Sequence, residues 1–471
     1  ASGSLGFPNP SELIAMVHRP MVPSRPLLLP LVLSLCPISD RLVVAQDLFV
    51  PSRELLASLL TRGAAAAASG PLEGEEGRPS RQERPNIVWF LTDDQDQLLG
   101  GSFPATSPGG ATPMPKTKTL MQDGGKHETN WYIHTPICSP SRSELLTGRY
   151  FHNVKSVGDE YPGNSMHVNY SKVNDHTFMR TLKEEGGYTT GLFGKYLNLM
   201  PSSAPVGFDA WLANDGGTYI APSFQTKGID GLPDGQVHLS NDPGNYSTAV
   251  IGNVSIAWIK KVAKQGKPFV AYIAPKAAHE PFNPAPWYRD HWDASWPDQE
   301  PRTANWNCSA ASRAEHHGNI ADEQMITPEA AYVMRGVFRN RWRTLMSVDD
   351  VIAEVIKTVE DLGLSDSAYF LYSSDHGFQL GQFNIPMDKR HVYEWDTKIH
   401  LLARGPGIAP GTSFALPGTQ VDVAPTLLGL AGVPAPLIMD GRSVVPFLLA
   451  GAQAEQLLPG TRRHLEALLG E

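Results

Sequence analysis

Four short apolar runs, each ending in polar or charged residues, constrain the fold of this chain more than any other feature of its sequence. The runs occupy residues 86–91, 188–193, 268–274 and 368–372. Between them, residues 176–185 and 330–362 carry apolar side chains at the spacing of one helix face. This alternation of strands and helices predicts an α/β fold, with a large, mostly parallel sheet flanked by helices.

Polar side chains follow each apolar run. They are Asp93 and Asp94 after the first, Lys195 after the second, His279 after the third, and Asp375 with His376 after the fourth. Ligands of open α/β sheets bind beyond the carboxyl ends of the strands, so these residues predict one site if the strands are neighbours. Asp93 and Asp94 could instead cap a turn. Adjacent carboxylates repel each other, however, and a hard cation relieves that repulsion, with Asp375 as a third oxygen ligand.

Residues 138–142 (CSPSR) place a cysteine just before a proline that suits the first turn of a helix, and residues 143–146 continue as helix. A lone cysteine is usually a small buried hydrophobe. A residue at a helix N-terminus, however, lies where anions and a negatively charged nucleophile are favoured. Arg142, one turn further on, adds a positive charge, so Cys138 is a candidate nucleophile.

The order of these motifs resembles the sulfatase family. Residues 138–142 followed by 146–149 (LTGR) look like the signature that directs oxidation of the cysteine to formylglycine. Further matching motifs are residues 85–95, 194–196 (GKY), 278–279 (AH), 374–377 (SDHG), 388–390 (DKR) and 402–407 (LARGPG). The resemblance covers residues 84–450 and implies a catalytic domain with the alkaline-phosphatase-like sulfatase fold. Within the family, residues 92–96, 147–153, 194–198 and 387–394 look most similar to N-acetylglucosamine-6-sulfatases.

The resemblance implies a metal site and a modified nucleophile. One calcium ion would be held by Asp93, Asp94, Asp375, His376 and an oxygen of the formylglycine derived from Cys138. A hydroxyl of the hydrated aldehyde would attack sulfur, and its second hydroxyl would then expel sulfate. The formylglycine-generating enzyme would be a partner during maturation.

The resemblance also implies the residues that handle the substrate. Lys195 and Lys389 would bind the sulfate, Arg142 would orient the hydrated aldehyde, and His279 would contact the sulfate and protonate the leaving oxygen. The implied substrate is the 6-O-sulfate of N-acetylglucosamine in a glycosaminoglycan-like glycan, or an aryl sulfate. Glycosaminoglycan degradation is the implied process.

Some positions depart from the family pattern. Leu197 stands where many members have histidine, which leaves Asn198 or His279 as candidates for the base that opens the hemiacetal. His376 stands where asparagine is commoner. Relatives also continue with a smaller antiparallel C-terminal subdomain, which we expect to be missing or truncated here, with residues 451–471 as its start.

The remaining composition indicates a secretory protein. Met21 begins a signal-like segment, so we expect a leader over residues 1–45 and a flexible linker over residues 46–83. Sequons for glycosylation occur at Asn169, Asn245, Asn253 and Asn307. The signal-like segment and the sequons together lead us to expect a secreted or lysosomal protein, and no apolar run is long enough to span a membrane. Three cysteines cannot form a disulfide scaffold.

The net charge of −9 argues against nucleic-acid binding, so the positive charge of an anion site must be local. The tryptophan-rich stretch 288–319 has no clear period and is predicted to be a surface excursion that lines a substrate cleft. Two other functions fit the same residues. One is a phosphodiesterase or phosphonate-ester hydrolase of the same superfamily, and the other is an inactive protein that binds sulfated glycans.

Overall fold

The computed structural model describes residues 84–97, 110–156 and 167–449. The predicted leader (1–45), linker (46–83) and C-terminal stretch (451–471) lie outside these residues. Those three predictions therefore stay predictions.

One sheet runs through the described residues, and its centre is built from the apolar runs of the sequence. Its strands are β1 (Asn86–Thr92), β2 (Lys126–Tyr132), β3 (Thr189–Lys195), β4 (Ala210–Asn214), β5 (Ser223–Lys227), β6 (Gly235–His238), β7 (Phe269–Ala274), β8 (Ala368–Ser374), β9 (Lys398–Arg404), β10 (Thr412–Phe414) and β11 (Gly418–Thr419). Their order is β10-β2-β9-β8-β1-β7-β3-β4-β5-β6, and β11 also pairs with β2. The four predicted strands are β1, β3, β7 and β8, which are adjacent and parallel.

The sheet is mixed, and the prediction of a mostly parallel sheet is wrong. Strand β9 pairs antiparallel with β8 and β2, and β5 pairs antiparallel with β4 and β6. Antiparallel neighbours need only a short connection, such as residues 228–234 between β5 and β6, whereas parallel neighbours need a long crossover. Strands β5 and β6 are partly exposed and lack a continuous apolar run, so no pattern in the sequence predicts them.

Helices cover both faces of the sheet. They are α1 (Pro115–Thr117, continued by a π-helix over Lys118–Asp123), α2 (Cys138–Thr147), α3 (Phe151–Val154), α4 (Tyr170–Asp175), α5 (Phe178–Glu184), α6 (Ser247–Ala263), α7 (Ala310–Arg313), α8 (Gly318–Ala321), α9 (Pro328–Asp361), α10 (Glu394–Thr397), α11 (Val423–Leu430) and α12 (Val445–Leu448). Short 3₁₀ turns occupy Pro243–Asn245, Pro286–Tyr288, Ser365–Ser367 and Gln420–Asp422. The two predicted helices are confirmed as α5 and α9.

Side chains of β1 alternate between two apolar cores. Ile87 and Trp89 pack on the face covered by α2, α5 and α11, whereas Val88 and Phe90 pack on the face covered by α6 and α9. Each buried side chain of this size stabilises the fold by about 1.5–3 kcal/mol. Because both faces are covered, the strand is buried throughout, which explains its continuous apolar run.

The tryptophan-rich excursion packs against the first half of α9. The ring of Trp342 lies 5.8 Å from that of Trp292 and 5.1 Å from that of Trp296. The same apolar cluster contains Phe282 and Phe378. In the chain they come shortly after His279 and His376, the histidines that follow β7 and β8. The excursion therefore lies beside the carboxyl ends of these strands, although its role in a substrate cleft stays a prediction.

The four sequon asparagines occupy different environments. Asn253 is exposed on α6, while Asn169 caps the N-terminus of α4. The side chain of Asn307 bonds the backbone of Ile326 through both of its polar atoms. Asn245 donates to Ser240. Within the described ranges, no helix combines the length and apolar composition that a bilayer span requires.

Candidate active site

The carboxyl ends of four neighbouring strands bring the predicted polar residues together. Strands β8, β1, β7 and β3 lie side by side in this order and point the same way. The side chains that follow them are Asp375 and His376, Asp93 and Asp94, His279, and Lys195. The four strands are therefore neighbours, as a shared site requires.

Backbone hydrogen bonds hold the turn after β1 in place. The Asp93 N–H donates to the Ala277 carbonyl at 2.8 Å, and the Ala278 N–H donates to the Asp93 carbonyl at 2.6 Å. The Asp94 N–H donates to Asp375 Oδ1 at 3.1 Å. Asp94 has a φ of 58°, which is uncommon for a residue other than glycine, and such backbone conformations cluster at functional sites.

A cationic side chain contacts each of the three buried carboxylates. Lys195 Nζ lies 2.6 Å from Asp93 Oδ2, Lys389 Nζ lies 2.7 Å from Asp94 Oδ1, and Arg142 Nε lies 2.8 Å from Asp375 Oδ2. All three aspartates are at most 1% exposed. Breaking a buried pair of this kind by removing one partner costs about 3–5 kcal/mol.

These partners shift the pKa values of the carboxylates in different directions. Burial raises the pKa of Asp93, but Lys195 and His279 outweigh burial and hold that pKa well below its usual range. His279 and Lys389 lower the pKa of Asp94 in the same way, against burial. Burial and the neighbouring Asp93 raise the pKa of Asp375 to about 6. Asp93 and Asp94 thus stay ionised at neutral pH, and ionised carboxylates are the oxygen donors that a hard cation needs.

Helix α2 carries Cys138 into the centre of this cluster. The helix begins at Cys138, as the sequence predicts, and all its residues are buried. The Cys138 sulfur lies 3.4 Å from His376 Nε2, 3.5 Å from Lys389 Nζ and 3.7 Å from Asp93 Oδ1. Burial raises the pKa of this thiol, but Lys195 and Lys389 outweigh burial and lower the pKa well below its usual range. The site therefore favours an anion at this position.

Arg142 ties α2 to two of the strands. Its Nε donates to Asp375 after β8, and its Nη1 donates to the carbonyl of Lys195 at 3.0 Å, at the end of β3. Ser141 also donates to the carbonyl of Asp375. Because Arg142 is fully buried and held at both ends, its guanidinium is a fixed positive charge.

The two histidines of the site share one arrangement. His376 Nδ1 lies 2.8 Å from the Gly377 carbonyl, and His279 Nδ1 lies 2.9 Å from the Glu280 carbonyl. A carbonyl only accepts, so Nδ1 carries the proton in each ring and Nε2 faces the cluster. His376 Nε2 is 3.3 Å from Asp94 Oδ1, and His279 Nε2 is 3.9 Å from Asp94 Oδ2.

Four of the five predicted metal ligands form one group. The ligand atoms of Asp93, Asp94, Cys138 and His376 all lie within 4.8 Å of one another. Asp375, the fifth, uses its carboxylate to accept from Arg142 and from the Asp94 N–H. Carboxylate oxygens suit calcium, sulfur does not, and the nitrogen of His376 is a softer donor that makes up one position of the set. Conversion of Cys138 to formylglycine would replace that sulfur by oxygen, so the residues present fit a calcium ion.

Some residues of this region had no signal in the sequence. Arg341, buried in the middle of α9, donates to the Asp94 carbonyl and lies 2.7 Å from Asp96 Oδ1. Lys276, between β7 and His279, is buried close to the cluster. Asn198, a candidate base, accepts from Ser139 Oγ at 2.8 Å through its side-chain oxygen, so that oxygen is already engaged.

Comparison with known proteins identifies relatives along most of the chain. A family model described as Sulfatase matches residues 85–433. Human N-acetylglucosamine-6-sulfatase is 34% identical over 80% of this chain and 66% of its own length. An extracellular sulfatase SULF-1 homolog of Drosophila melanogaster is 32% identical over 80% of this chain and 32% of its own length. The chain thus spans just under two thirds of the first relative and about a third of the second.

Solved structures share the fold. A protein in complex with its substrate D-glucosamine-2-N,6-O-disulfate is 22% identical with a TM-score of 0.57, covering 78% of this chain and 80% of its own. A phosphonate monoester hydrolase of Agrobacterium radiobacter is 18% identical with a TM-score of 0.56, covering 78% of this chain and 77% of its own. At these identities the two structures show the fold alone. The family model covers well over half of the sequence, and the chain therefore belongs to the sulfatase family.

Proposed function

We propose that this chain hydrolyses sulfate monoesters, and that its substrate is the 6-O-sulfate of N-acetylglucosamine in a sulfated glycan. The observation that carries the proposal is the position of Cys138, at the N-terminus of a buried helix and within 3.4–3.7 Å of His376, Lys389 and Asp93. The similarity to human N-acetylglucosamine-6-sulfatase supports the choice of substrate.

The two groups that the family implies have matching residues here. Formylglycine, made from Cys138 by the formylglycine-generating enzyme, would supply a hydrated aldehyde as nucleophile, and calcium would supply positive charge beside it. Asp93, Asp94, Asp375 and His376 would hold the ion with an oxygen at position 138, and Asp375 Oδ1 lies 3.6 Å from His376 Nε2.

Lys195 and Lys389 supply the positive charge that a sulfate group needs. Both ammonium groups are nearly buried, and each lies within 2.7 Å of an aspartate that fixes its position. A sulfate ester spreads its charge over three oxygens, and the charge that develops during transfer is stabilised by fixed cations in a site that excludes water. The two lysines would therefore bind the substrate and stabilise the transition state.

His279 is placed to donate a proton to the leaving alcohol. Its Nδ1–H donates to the Glu280 carbonyl, which leaves Nε2 to face the cluster, and 16% of its side chain is exposed. A protonated imidazole in this orientation can give its Nε2 proton to the leaving oxygen. Arg142 would orient the hydrated aldehyde by holding the start of α2, and thus residue 138, against β8 and β3.

The secretory pathway is the setting in which this chemistry would be installed. The sequon at Asn253 is exposed on α6, and the similar Drosophila protein is described as extracellular. We propose that the chain is secreted or delivered to lysosomes, and that it is glycosylated at the sequons.

The experiment that tests this function is an assay of sulfate release by the chain secreted from a eukaryotic host. We expect release from N-acetylglucosamine 6-sulfate and from an aryl sulfate, with little turnover of an aryl phosphodiester. Faster turnover of the phosphodiester would contradict a sulfatase. Affinity for sulfated glycans without sulfate release would instead indicate a binding protein.

A further inference from the structure

Lys276 is a buried cation that the chemistry proposed above does not use. It lies two residues beyond β7 and three before His279, and only 8% of it is exposed. Its carbonyl accepts from the His279 N–H at 2.9 Å, so its backbone is part of the turn that carries that histidine. The Lys276 side chain thus belongs to the wall of the site on the β7 side.

The ammonium of Lys276 has no counter-ion in contact, unlike those of Lys195 and Lys389. Among the described residues it makes no ion pair and no hydrogen bond, and the ring of Tyr219 lies 5.9 Å away. Burial lowers the pKa of Lys276, and Lys195 lowers it further, while Asp93, Asp94 and exposed Glu280 oppose them from a distance. The Tyr219 ring is a weak cation–π partner, but no anion in contact offsets the charge, so a lysine kept for packing alone would be better replaced by methionine.

Asn214 presents an unpartnered donor at the same edge of the sheet, two strands away from β7. It ends β4, where it pairs in register with Lys195 at the end of β3. Its Oδ1 accepts from the Gly216 N–H at 3.1 Å, and its buried Nδ2 has no hydrogen-bond partner in the described part of the chain. A buried amide donor of this kind normally has a partner.

Two glycines after β4 place no side chain against Asn214 and Lys195. A Cβ at Gly217 would lie 3.3 Å from Asn214 Nδ2, and a Cβ at Gly216 would lie 3.4 Å from Lys195 Cδ. Both residues also have positive φ, which glycine adopts without strain. A larger residue at either position would crowd these side chains.

We propose that Lys276, assisted by Asn214, binds a second anionic group of the substrate, a sulfate or a carboxylate other than the sulfate that is released. The inference rests on the proposed function. Lys195 and Lys389 lie against Asp93, Asp94 and Cys138, where the reacting sulfate would bind. Lys276 contacts none of these residues with its ammonium, so its charge is available to a group further along the sugar.

Binding measurements with a Cys138→Ala chain test the inference without turnover. The probes are N-acetylglucosamine 6-sulfate, glucosamine 2-N,6-O-disulfate, and a 6-O-sulfated disaccharide with a neighbouring uronic acid. With Lys276 present, we expect at least one of the two dianionic probes to bind about tenfold more tightly than the monosulfate, as a charge-assisted hydrogen bond allows. Preference for the disulfate would identify a sulfate as the second group, and preference for the disaccharide would identify a carboxylate.

The Lys276→Met variant should reduce this preference to about twofold or less, and Lys276→Arg should keep much of it, because only the latter retains the charge. Thermal unfolding of each variant checks that the fold is intact, and Lys276→Arg serves as the reference if Lys276→Met is unstable. Equal binding of all probes by the parent, or an undiminished preference without the lysine charge, would overturn the inference. Failure of the wild-type chain to release sulfate would refute the proposed function but would leave these binding ratios interpretable.

Discussion

Two groups of buried polar residues in this molecule differ in how burial affects their ionisation. At the carboxyl ends of the central strands, each carboxylate of Asp93, Asp94 and Asp375 contacts a cation. In β2, His127 and Glu128 are also buried, but His127 Nε2 and Glu128 Oε2 have no hydrogen-bond partner within the described residues. Burial lowers the pKa of His127 to about 4 and raises that of Glu128 to about 7.

The difference shows what burial does with and without partners. Without a charged partner, burial drives a titratable group toward its neutral form, as in β2. With charged partners, Lys195 and Asp93 stay charged although they are almost as fully buried as Glu128, or equally so. A compact cluster of charges that is kept ionised at the cost of stability is typical of a functional site, whereas a neutralised pair is compatible with a structural role.

The largest expected effect comes from the centre of the paired cluster. Cys138→Ala removes the only side chain at this position that can become the nucleophile, so we expect sulfate release to fall by at least about 10³-fold. Cys308→Ala is the matched control, because Cys308 is a free, half-buried cysteine outside the cluster. It should change the rate by less than about twofold. Equal losses in both variants would contradict the assignment.

Removing one partner of a buried pair is expected to affect stability next most strongly. Arg142→Met leaves the Asp375 carboxylate buried without its cation, which should lower the free energy of unfolding by about 3–5 kcal/mol. The control is Arg404→Met, because Arg404 pairs with Glu360 at 2.7 Å on the surface. That pair is worth about 0–1 kcal/mol. Urea unfolding measures the free energy of unfolding of both variants. Similar losses in the two would show that the Asp375 carboxylate does not depend on Arg142 for its stability.

His127 and Glu128 in β2 predict a smaller, pH-dependent effect on the stability of the fold. The folded-state pKa of His127 lies below its unfolded value of 6.5, so the histidine destabilises the fold as the pH falls from 6.5 to 4. The folded-state pKa of Glu128 lies above its unfolded value of 4.5, so the glutamate destabilises the fold as the pH rises from 4.5 to 7. Between pH 4.5 and 6.5, where the two ranges overlap, the contributions of His127 and Glu128 to stability change in opposite directions.

Single substitutions should separate the two contributions. Relative to the unmodified chain, His127→Phe should gain stability as the pH falls, and Glu128→Gln should gain stability as the pH rises. Each gain should approach about 1 kcal/mol per pH unit within its window. Urea unfolding at several pH values measures the differences. Two differences that do not vary with pH would show that His127 and Glu128 are not neutralised by burial.

Much of the site could be predicted from the sequence because its residues follow directly after buried strands. Asp93, Asp94 and Asp375 directly follow strands that are buried on both faces, and such strands are visible as continuous apolar runs. Parallel neighbours then bring those ends to one edge. Cys138 was visible because Pro140 marks the first turn of a helix.

The rest depends on tertiary contacts that leave no local pattern. Lys389 lies in the long connection between β8 and β9, and only the family resemblance singled it out. Arg341 contacts the turn after β1 from inside a helix, and Lys276 is buried in a loop near the cluster, although charged residues usually lie at the surface. The antiparallel edges were missed because β5 and β6 pair through their backbones, with little apolar burial to mark them.

The central claim is that the paired charges at the strand ends serve a formylglycine at position 138. Peptide mass spectrometry across residues 138–142, on folded chain secreted from a eukaryotic host, tests this claim most directly. We expect the peptide mass of the aldehyde or its hydrate in place of the thiol. An unmodified Cys138 in folded, secreted protein would contradict the claim.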